Sequence, residues 1–386
     1  MCIVPIIFSC SRHNSPTLPV ASNTPNYTQT NMALFTHTIT PTYTASNTPN
    51  YTQTYMALFT HTITPTYTVS PTITATSTIT NTVGPTFDSS ALVSVPGGTF
   101  TQTDGTYSFS HTVSAFKMGK YQVTYDLWYT VHTWGVANGY AFQNAGVEGN
   151  SGTDGAAPTA AKYHPVTNVN WRDVIVWCNA YSQMSGFTPV YCSDAGFTMA
   201  IKSSTSGSYG SSVNTTAGSF DIPYVNWIAN GFRLPTEGEY QYAASWKGTD
   251  SSNGAIEFPV GSGNYWTPYN YASGATGDTN NATATGLVAW YSANSGSTTH
   301  DVGGKTANAL GIYDMSGNVY EWCWDWDGTY PSTASTNYIG PDSGSARVMR
   351  GESFVYYASL LQVGHRDNDS PYDVGSDRGF RFARSN

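Results

Sequence analysis

Charge is scarce in this 386-residue chain. Asp, Glu, Lys and Arg together make up 10% of it, against about a quarter in an average globular protein. The net charge is -9, which argues against a phosphate backbone as partner and against nucleic acid in general. Cysteine is also sparse. Cys2, Cys10, Cys178, Cys192 and Cys323 form no C-x-x-C pair, so a zinc knuckle is not expected. Cys178 and Cys323 sit in apolar words, VWCNAY and EWCWDW, and read as buried thiols acting as small hydrophobes. A disulfide between two of the last three cysteines is the alternative. Long apolar runs are missing too. CIVPIIF, residues 2 to 8, is too short to span a bilayer. What is abundant is aromatic: 14% of residues, including 28 Tyr and 11 Trp. Solubility comes from Thr, Ser, Asn and Gly, as suits an extracellular or surface protein.

No Asp, Glu, Lys or Arg occurs between Arg12 and Asp88. Inside that interval ASNTPNYTQTNMALFTHTITPTYT (21 to 44) repeats as ASNTPNYTQTYMALFTHTITPTYT (45 to 68), differing only at Asn31 and Tyr55. Two copies are too few for a solenoid. Thr and Pro favour extended backbone, so residues 11 to 88 read as a disordered Thr/Pro stalk. Residues 1 to 10 resemble the end of a bacterial lipoprotein signal, with Cys10 as the lipidated residue. The basic n-region is missing and the apolar core is clipped, so a chance match is the competing reading. A lipid anchor is the one mode of membrane attachment this allows.

From residue 89 the texture changes. QVTYDLWYTVHT (122 to 133) predicts a short helix with Thr124 as N-cap. VNWRDVIVWCNAYSQMSG (169 to 186) places Val174, Trp177, Cys178 and Tyr181 on one helical face, with Gly186 closing the helix. Thr236 and Glu239 form a capping box that opens a third helix. Arg233 and Glu237 are expected to pair beside it. Gly/Ser/Asn-rich insertions fill 187 to 230 and 248 to 300. So few regular elements imply one irregular α+β domain over 89 to 386, with its core built from aromatics.

A series of words in fixed order resembles the formylglycine-generating-enzyme (sulfatase-modifying factor) family, a branch of the C-type-lectin-like folds. They are VPGGTF (95 to 100), FKMGKYQVTYDLW (116 to 128), HPVTNVNW (164 to 171), GFRLPTEGEYQYAA (231 to 244), NALGIYDMSGNVYEWCWD (308 to 325), RVMRGESF (347 to 354) and GFRFAR (379 to 384). The resemblance implies a C-type-lectin-like fold across roughly 90 to 386.

The resemblance also names two chemistries, and the residues fit neither. Family members that oxidise a substrate cysteine bind copper through two Cys after the Gly-Gly-Ser-aromatic word. Tyr356 and Leu361 stand in those places here, and neither supplies the thiolate that Cu(I) selects, so no copper is expected. The branch that makes sulfur-containing histidine derivatives uses three His and an added helical domain. Here His111, His132, His164, His300 and His365 are scattered, and His164 reads as structural. No catalytic residue is assigned. The family also wraps a calcium ion in the segment matching YDMSGNVYEW. By that resemblance Asp314 and Glu321, with the carbonyls of Gly317 and Val319, would hold structural Ca²⁺ through hard oxygens. The alternative is that the two carboxylates only hydrogen-bond backbone amides in a tight turn.

The segment 351 to 381 carries a further pattern. Its irregular positions are Phe354, Val355, Tyr356, Tyr357, Leu360, His365, Asp367, Asp369, Tyr372, Asp373, Val374, Ser376 and Asp377. Each can be reached from an Asn codon by changing only its adenines. Lys, Glu, Gln, Met and Trp cannot be reached that way, and none occurs at these positions. Glu352 stands outside the pattern, where Gly is usual in the family. Ser353, Ala358, Arg366, Asn368, Pro371, Gly379, Phe380 and Arg381 are interleaved as fixed anchors. This resembles the variable proteins of diversity-generating retroelements, which mutate template adenines while copying them into a target gene. The resemblance implies a non-enzymatic receptor or adhesin on a bacterial cell surface, outer membrane or beyond. Its C-terminal face would bind a protein or glycan, with Tyr giving contact area at low entropic cost. The competing readings are a formylglycine-generating-type oxidoreductase acting on a protein cysteine, and a structural surface protein whose site is unused.

Overall fold

The computed structural model describes Asp88 and residues 90–386 other than position 206. The Thr/Pro stalk, its two repeats and Cys10 lie outside the described residues. The fold is α+β, with four α-helices and many short strands among the described residues.

Local capping chemistry fixes the helix starts. Helix α1 (Tyr125–Ala137) begins at Thr124, whose hydroxyl accepts from the Leu127 N–H. Helix α2 (Trp171–Met184) opens with a reciprocal box between Asn170 and Asp173, and Gly186 follows it at φ +75°. Helix α3 (Glu237–Ser245) opens on the Thr236/Glu239 box. Each box satisfies amides that the first helical turn leaves orphaned. Helix α4 (Ala282–Val288) starts at Asn281. The expected single apolar face of α2 is too narrow a description, because every residue from Trp171 to Ser182 is buried. α1 packs on one side of it, and strands Tyr191–Cys192 and Phe232–Arg233 pack on others.

One four-stranded sheet runs in spatial order Leu92–Val95, Phe116–Gly119, Ala383–Ser385, Phe232–Arg233. The end of the chain is therefore inserted between strands from its beginning and middle. A second runs Asp367–Asp369, Arg347–Arg350, Tyr320–Trp326, Arg378–Gly379. Its two central strands are buried along their whole length. The pairing Tyr320↔Arg378 and Glu321↔Gly379 is parallel, and its neighbour Glu321↔Arg350 is antiparallel.

Trp128, Trp171, Trp177 and Trp322 are fully buried and dominate the main core. Their ring nitrogens find carbonyls, as buried indoles require: Trp171 donates to Cys323 O at 2.9 Å and Trp322 to Val169 O at 3.2 Å. These two bonds tie the start of α2 to the second sheet. Cys178, Cys192 and Cys323 are buried free thiols, so no disulfide joins them. Burial pushes the thiols of Cys178 and Cys323 well above the ordinary range.

The core also encloses charge, much of it in ion pairs. Arg381 meets Glu321 through two bonds of 2.6 Å, with both side chains fully buried. Arg172 meets Asp221 twice at 2.7 Å. The expected Arg233–Glu237 pair is corrected. Arg233 grips Glu239 instead, at 2.6 and 2.7 Å. Glu239 folds back to cap Thr236 N–H, which carries its carboxylate to the Arg233 side. Glu237, at the first helical position, faces the opposite way and holds Arg350 at 3.1 Å and Arg366 at 3.0 Å.

Candidate ligand-binding face

The segment 351 to 377 leaves the second sheet as two irregular loops separated by the short edge strand Asp367–Asp369. Gly351 and Glu352 turn the chain out of strand Arg347–Arg350 with φ of +90° and +62°. A side chain at position 351 would put its Cβ 2.5 Å from the Tyr240 hydroxyl, so only glycine fits there.

Both loops are held chiefly by their main chain. Phe354 N–H donates to Asn318 O at 2.9 Å, and Phe354 O accepts from Ser295 Oγ at 2.8 Å. Ser292 N–H reaches Tyr356 O at 3.0 Å, and Ser316 Oγ reaches Leu361 O at 2.8 Å. Gln241 Nε2 bonds Val363 O at 2.9 Å, and Arg350 donates to the carbonyl of His365. In the second loop Gly375 O accepts from Asn168 N–H at 3.0 Å, and Asp377 O from Tyr320 N–H at 2.8 Å. Every donor outside the segment belongs to the surrounding domain. The backbone path thus depends little on which side chains the loops carry.

The side chains sort accordingly. Of the thirteen expected face residues, Val355, Tyr357, Val374 and Ser376 are exposed. Tyr356, Leu360, His365, Asp367, Asp369, Tyr372, Asp373 and Asp377 are half-buried at the surface. Phe354 is the correction: at 2% exposure it belongs to the core. Its amide and carbonyl are both tied inward, which points the ring away from solvent. Among the interleaved anchors, Ser353, Pro371, Gly379, Phe380 and Arg381 are buried. Arg366 bonds Glu237 and Gly328 O. Asn368 is exposed, and its side-chain amide donates to Asp327 at 3.2 Å.

The chemistry of the face is aromatic and acidic. The rings of Tyr320 and Tyr356 meet edge to face with centroids 5.3 Å apart, a favourable geometry for aromatic pairs. Tyr320 donates its hydroxyl proton to Asp367 at 3.0 Å. Ser353 Oγ lies 3.4 Å from Asp377. Arg378 is taken by Asp369 at 2.5 Å and by Asp377 at 3.9 Å. Burial, then the neighbouring Asp369, raises the Asp373 carboxyl. His365 Nδ1 stands 2.5 Å from Glu352. Tyr320 and Glu352 were not among the face residues expected from sequence. Glu352 had a signal, a charged side chain at a glycine position; Tyr320 had none beyond strand alternation.

The expected metal ligands do converge. Gln122 Nε2 lies 3.2 Å from Asp314 O, 3.2 Å from Gly317 O, 3.0 Å from Val319 O and 3.0 Å from Glu321 Oε1. Asp314 differs from expectation in turning its carbonyl, not its carboxylate, to the centre. Its Oδ2 accepts from Gly303 N–H at 2.7 Å, and burial pushes the carboxyl up to about 6. An amide nitrogen has two protons, so two of the four oxygens around Gln122 go without one. Gln122 Oε1 and Asp314 Oδ1 are buried and lack hydrogen-bond partners. These oxygens are of the hard type a divalent cation takes, while Arg381 also donates to two of them, Asp314 O at 3.2 Å and Glu321 Oε1 at 2.6 Å. The histidines do not assemble a comparable centre. His164 and His300 approach, with ring centroids 6.5 Å apart, but no group of three metal-ligating side chains exists among the described residues.

The sulfatase-modifying factor enzyme 1-like domain model matches residues 80–386. The chain belongs to that family. Chaperone protein LppX of Paenibacillus barcinonensis is 31% identical over 323 residues, covering 79% of this chain and 93% of LppX. The formylglycine-generating enzyme of Streptomyces coelicolor is 31% identical over 165 residues, which cover 42% of this chain and 48% of the enzyme. Among solved structures, Treponema denticola variable protein 1 superposes with a TM-score of 0.59 at 31% identity, over 76% of this chain and 95% of that one. The chain is thus similar in sequence to an enzyme over 42% of its length and in structure to a variable protein over 76%. Among the described residues no helix is long and apolar enough to cross a membrane.

Proposed function

We propose that this protein is a non-enzymatic, surface-displayed ligand-binding protein of a bacterial cell envelope, whose face at 354 to 377 is diversified by a retroelement. The observation that carries this reading is the division within the segment. Residues reachable from Asn codons by adenine changes lie at the surface, Phe354 excepted, while most interleaved anchors are buried. Loops held by main-chain bonds tolerate substitution because the changes touch solvent and not core. The likeness to a variable protein and to LppX supports binding and an envelope location. The positions of the copper-binding cysteines hold a half-buried Tyr356 and a buried Leu361, which supports the absence of copper-dependent oxidation.

Two measurements test the proposal. Sequencing the gene's surroundings is expected to reveal a reverse transcriptase and a near-copy of the 351 to 377 coding segment that differs mainly at adenines. Absence of both defeats the diversification claim. Separately, replacing Val355, Tyr357, Val374 or Ser376 by other adenine-reachable residues is expected to change stability by less than about 1 kcal/mol. Phe354→Asp is expected to cost about 3–5 kcal/mol, because it opens a core cavity and buries a charge. Equal costs at all five positions would mean the segment is ordinary structure.

Calcium is the cation that the Gln122 cradle suits. It would be held by Glu321 and the carbonyls of Asp314, Gly317 and Val319, as a staple between the turn and strand Tyr320–Trp326. Calcium at a hundred times its dissociation constant is expected to add about 2.7 kcal/mol, seen as a higher melting midpoint than in EGTA. Identical midpoints would mean that Gln122 alone fills the cradle.

A further inference from the structure

The strand Gly98–Thr103 lies at the edge of its sheet, paired on one side only, with Ser108–Val113. On its open side Gln241 takes the place of a neighbouring strand at one residue. Thr103 N–H donates to Gln241 Oε1 at 3.0 Å, and Gln241 Nε2 donates to Thr103 O at 2.7 Å. In an antiparallel pair the main-chain groups of successive residues point alternately toward the partner strand and away from it. Thr101, two residues before Thr103 in an unbroken register, therefore turns its N–H and C=O the same way as Thr103. It is exposed, and neither group meets a partner among the described residues. Proteins usually blunt such an edge with a charge, a proline or a bulge. GTFTQT carries no charge and no proline, and its register has no bulge.

The open edge lies along a cleft of about 250 Å³. Thr101 and Gln241 line it together with Ile256, Phe258, Trp266 and Tyr269. Ile256 also belongs to an edge, that of the sheet ordered Trp246–Gly248, Tyr265–Trp266, Ile256–Glu257. Ile256 and Tyr269 are 52% and 46% exposed, so apolar surface stands in water at this cleft. The Trp266 indole spends its N–H on Phe258 O at 2.9 Å, and its ring has only apolar surface left to offer. Among the described residues no Asp, Glu, Lys, Arg or His lines the cleft. A charged group entering it would lose water without gaining a counter-charge.

A free donor and a free acceptor on one residue, beside apolar side chains, are the two halves of strand addition. Main-chain bonds hold the added segment, and a pocket reads its alternate side chains. We infer that this cleft binds an extended, uncharged peptide segment of a partner protein. The segment adds to the edge of Gly98–Thr103 at Thr101 and seats one aromatic or aliphatic side chain against Ile256, Phe258, Trp266 and Tyr269. The site is separate from the face at 354 to 377 and stands or falls without it. None of its lining residues is among the thirteen adenine-reachable positions, so every version of the face would be accompanied by the same cleft. The two sites share one brace: Gln241 Nε2 also donates to Val363 O at 2.9 Å, inside the first face loop.

The probe is the blocked peptide acetyl-Ser-Thr-Thr-Phe-Thr-Thr-Ser-amide, titrated into the full chain by calorimetry, with amide hydrogen exchange followed at Thr101. Saturable binding that slows exchange at Thr101 is expected. A copy N-methylated at Phe and at both flanking Thr keeps the side chains and loses the strand's donors. It is expected to bind about tenfold or more weakly. A copy with Ser in place of Phe is expected to bind about tenfold or more weakly as well, for the apolar area it no longer buries. Thr101→Pro removes the edge donor without touching the ladder, and is expected to abolish binding while the melt stays cooperative. Ile256→Asp, at an exposed position, is the second variant and is expected to weaken the probe about tenfold or more. Tyr357→Ala, on the face, is expected to leave the affinity unchanged. No saturable binding, binding without protection of Thr101, full binding of the N-methylated copy, or full binding to Ile256→Asp would each overturn the inference. So would loss of binding in Tyr357→Ala, which would seat the probe on the face. Protection of Thr101 by the neutral sugar cellotetraose and not by the peptide would give the cleft to a glycan and overturn it too.

Discussion

Arg381→Met is expected to lower the unfolding free energy by about 3–5 kcal/mol, read from the urea midpoint, because it leaves Glu321 charged, buried and unpaired. Glu321 accepts two bonds from Arg381, one from Gln122 and one from Tyr240 at 3.2 Å. Removing the guanidinium removes the only full positive charge in that set. The same guanidinium also donates to the carbonyls of Gly119, Tyr313 and Asp314, so it joins the first sheet to the turn before strand Tyr320–Trp326. The double variant Arg381→Met with Glu321→Leu is expected to recover a large part of the loss, since a buried pair replaced whole by apolar groups is often close to neutral. A single-variant cost below about 1 kcal/mol would mean that the carboxyl protonates or finds water, and that the pair contributes little.

The second large effect is expected at Glu237. Its carboxylate holds Arg350 and Arg366 and accepts the Tyr330 hydroxyl at 2.7 Å. Glu237→Ala takes the paired carboxylate from Arg350 and leaves Arg366 only its bridge to Asp327 at 3.2 Å, and a cost of about 3–5 kcal/mol follows. The location of the damage matters more than its size. Arg350 carries the carbonyls of Val363 and His365, and Arg366 carries that of Gly328. Amide hydrogen exchange is therefore expected to rise first within 361 to 369, before the strands of the first sheet respond. Uniform acceleration across the domain would show that Glu237 supports the fold as a whole and not this loop in particular.

Much of the architecture was legible because it is written locally. Thr124 and the Thr236/Glu239 box declare helix starts within four residues, and Gly186 declares an end. The same local signal explains the error at Glu237. Sequence spacing leaves Glu237 and Glu239 as equal candidates for Arg233, and only the fold-back of Glu239 to its own cap decides between them. Parallel pairing of Arg378 with Tyr320 joins residues far apart in the chain, and no short-range pattern encodes it. The face was legible through codon logic, which reports how a position can change but not where it points. That is why Phe354 fitted the pattern yet turned out to be core. Glu352 broke the pattern, and the structure buries it at φ +62° beside His365. The proposed calcium ligands were carried by family resemblance, and their convergence on one amide nitrogen required Gln122, a residue almost two hundred positions away.

The last strand, Ala383–Ser385, lies between Phe116–Gly119 and Phe232–Arg233, and Phe380, Phe382 and Ala383 before and within it are fully buried. Every position proposed to vary is therefore translated before the residues that close the first sheet. A reading-frame slip anywhere in 351 to 377 replaces those closing residues and leaves an open sheet with an empty core site. Nor can adenine changes in an Asn codon produce a stop, because every stop codon ends in a purine. Under the proposed diversification, the order of the chain would act as proofreading: only copies that stay in frame through 380 to 385 would close the first sheet.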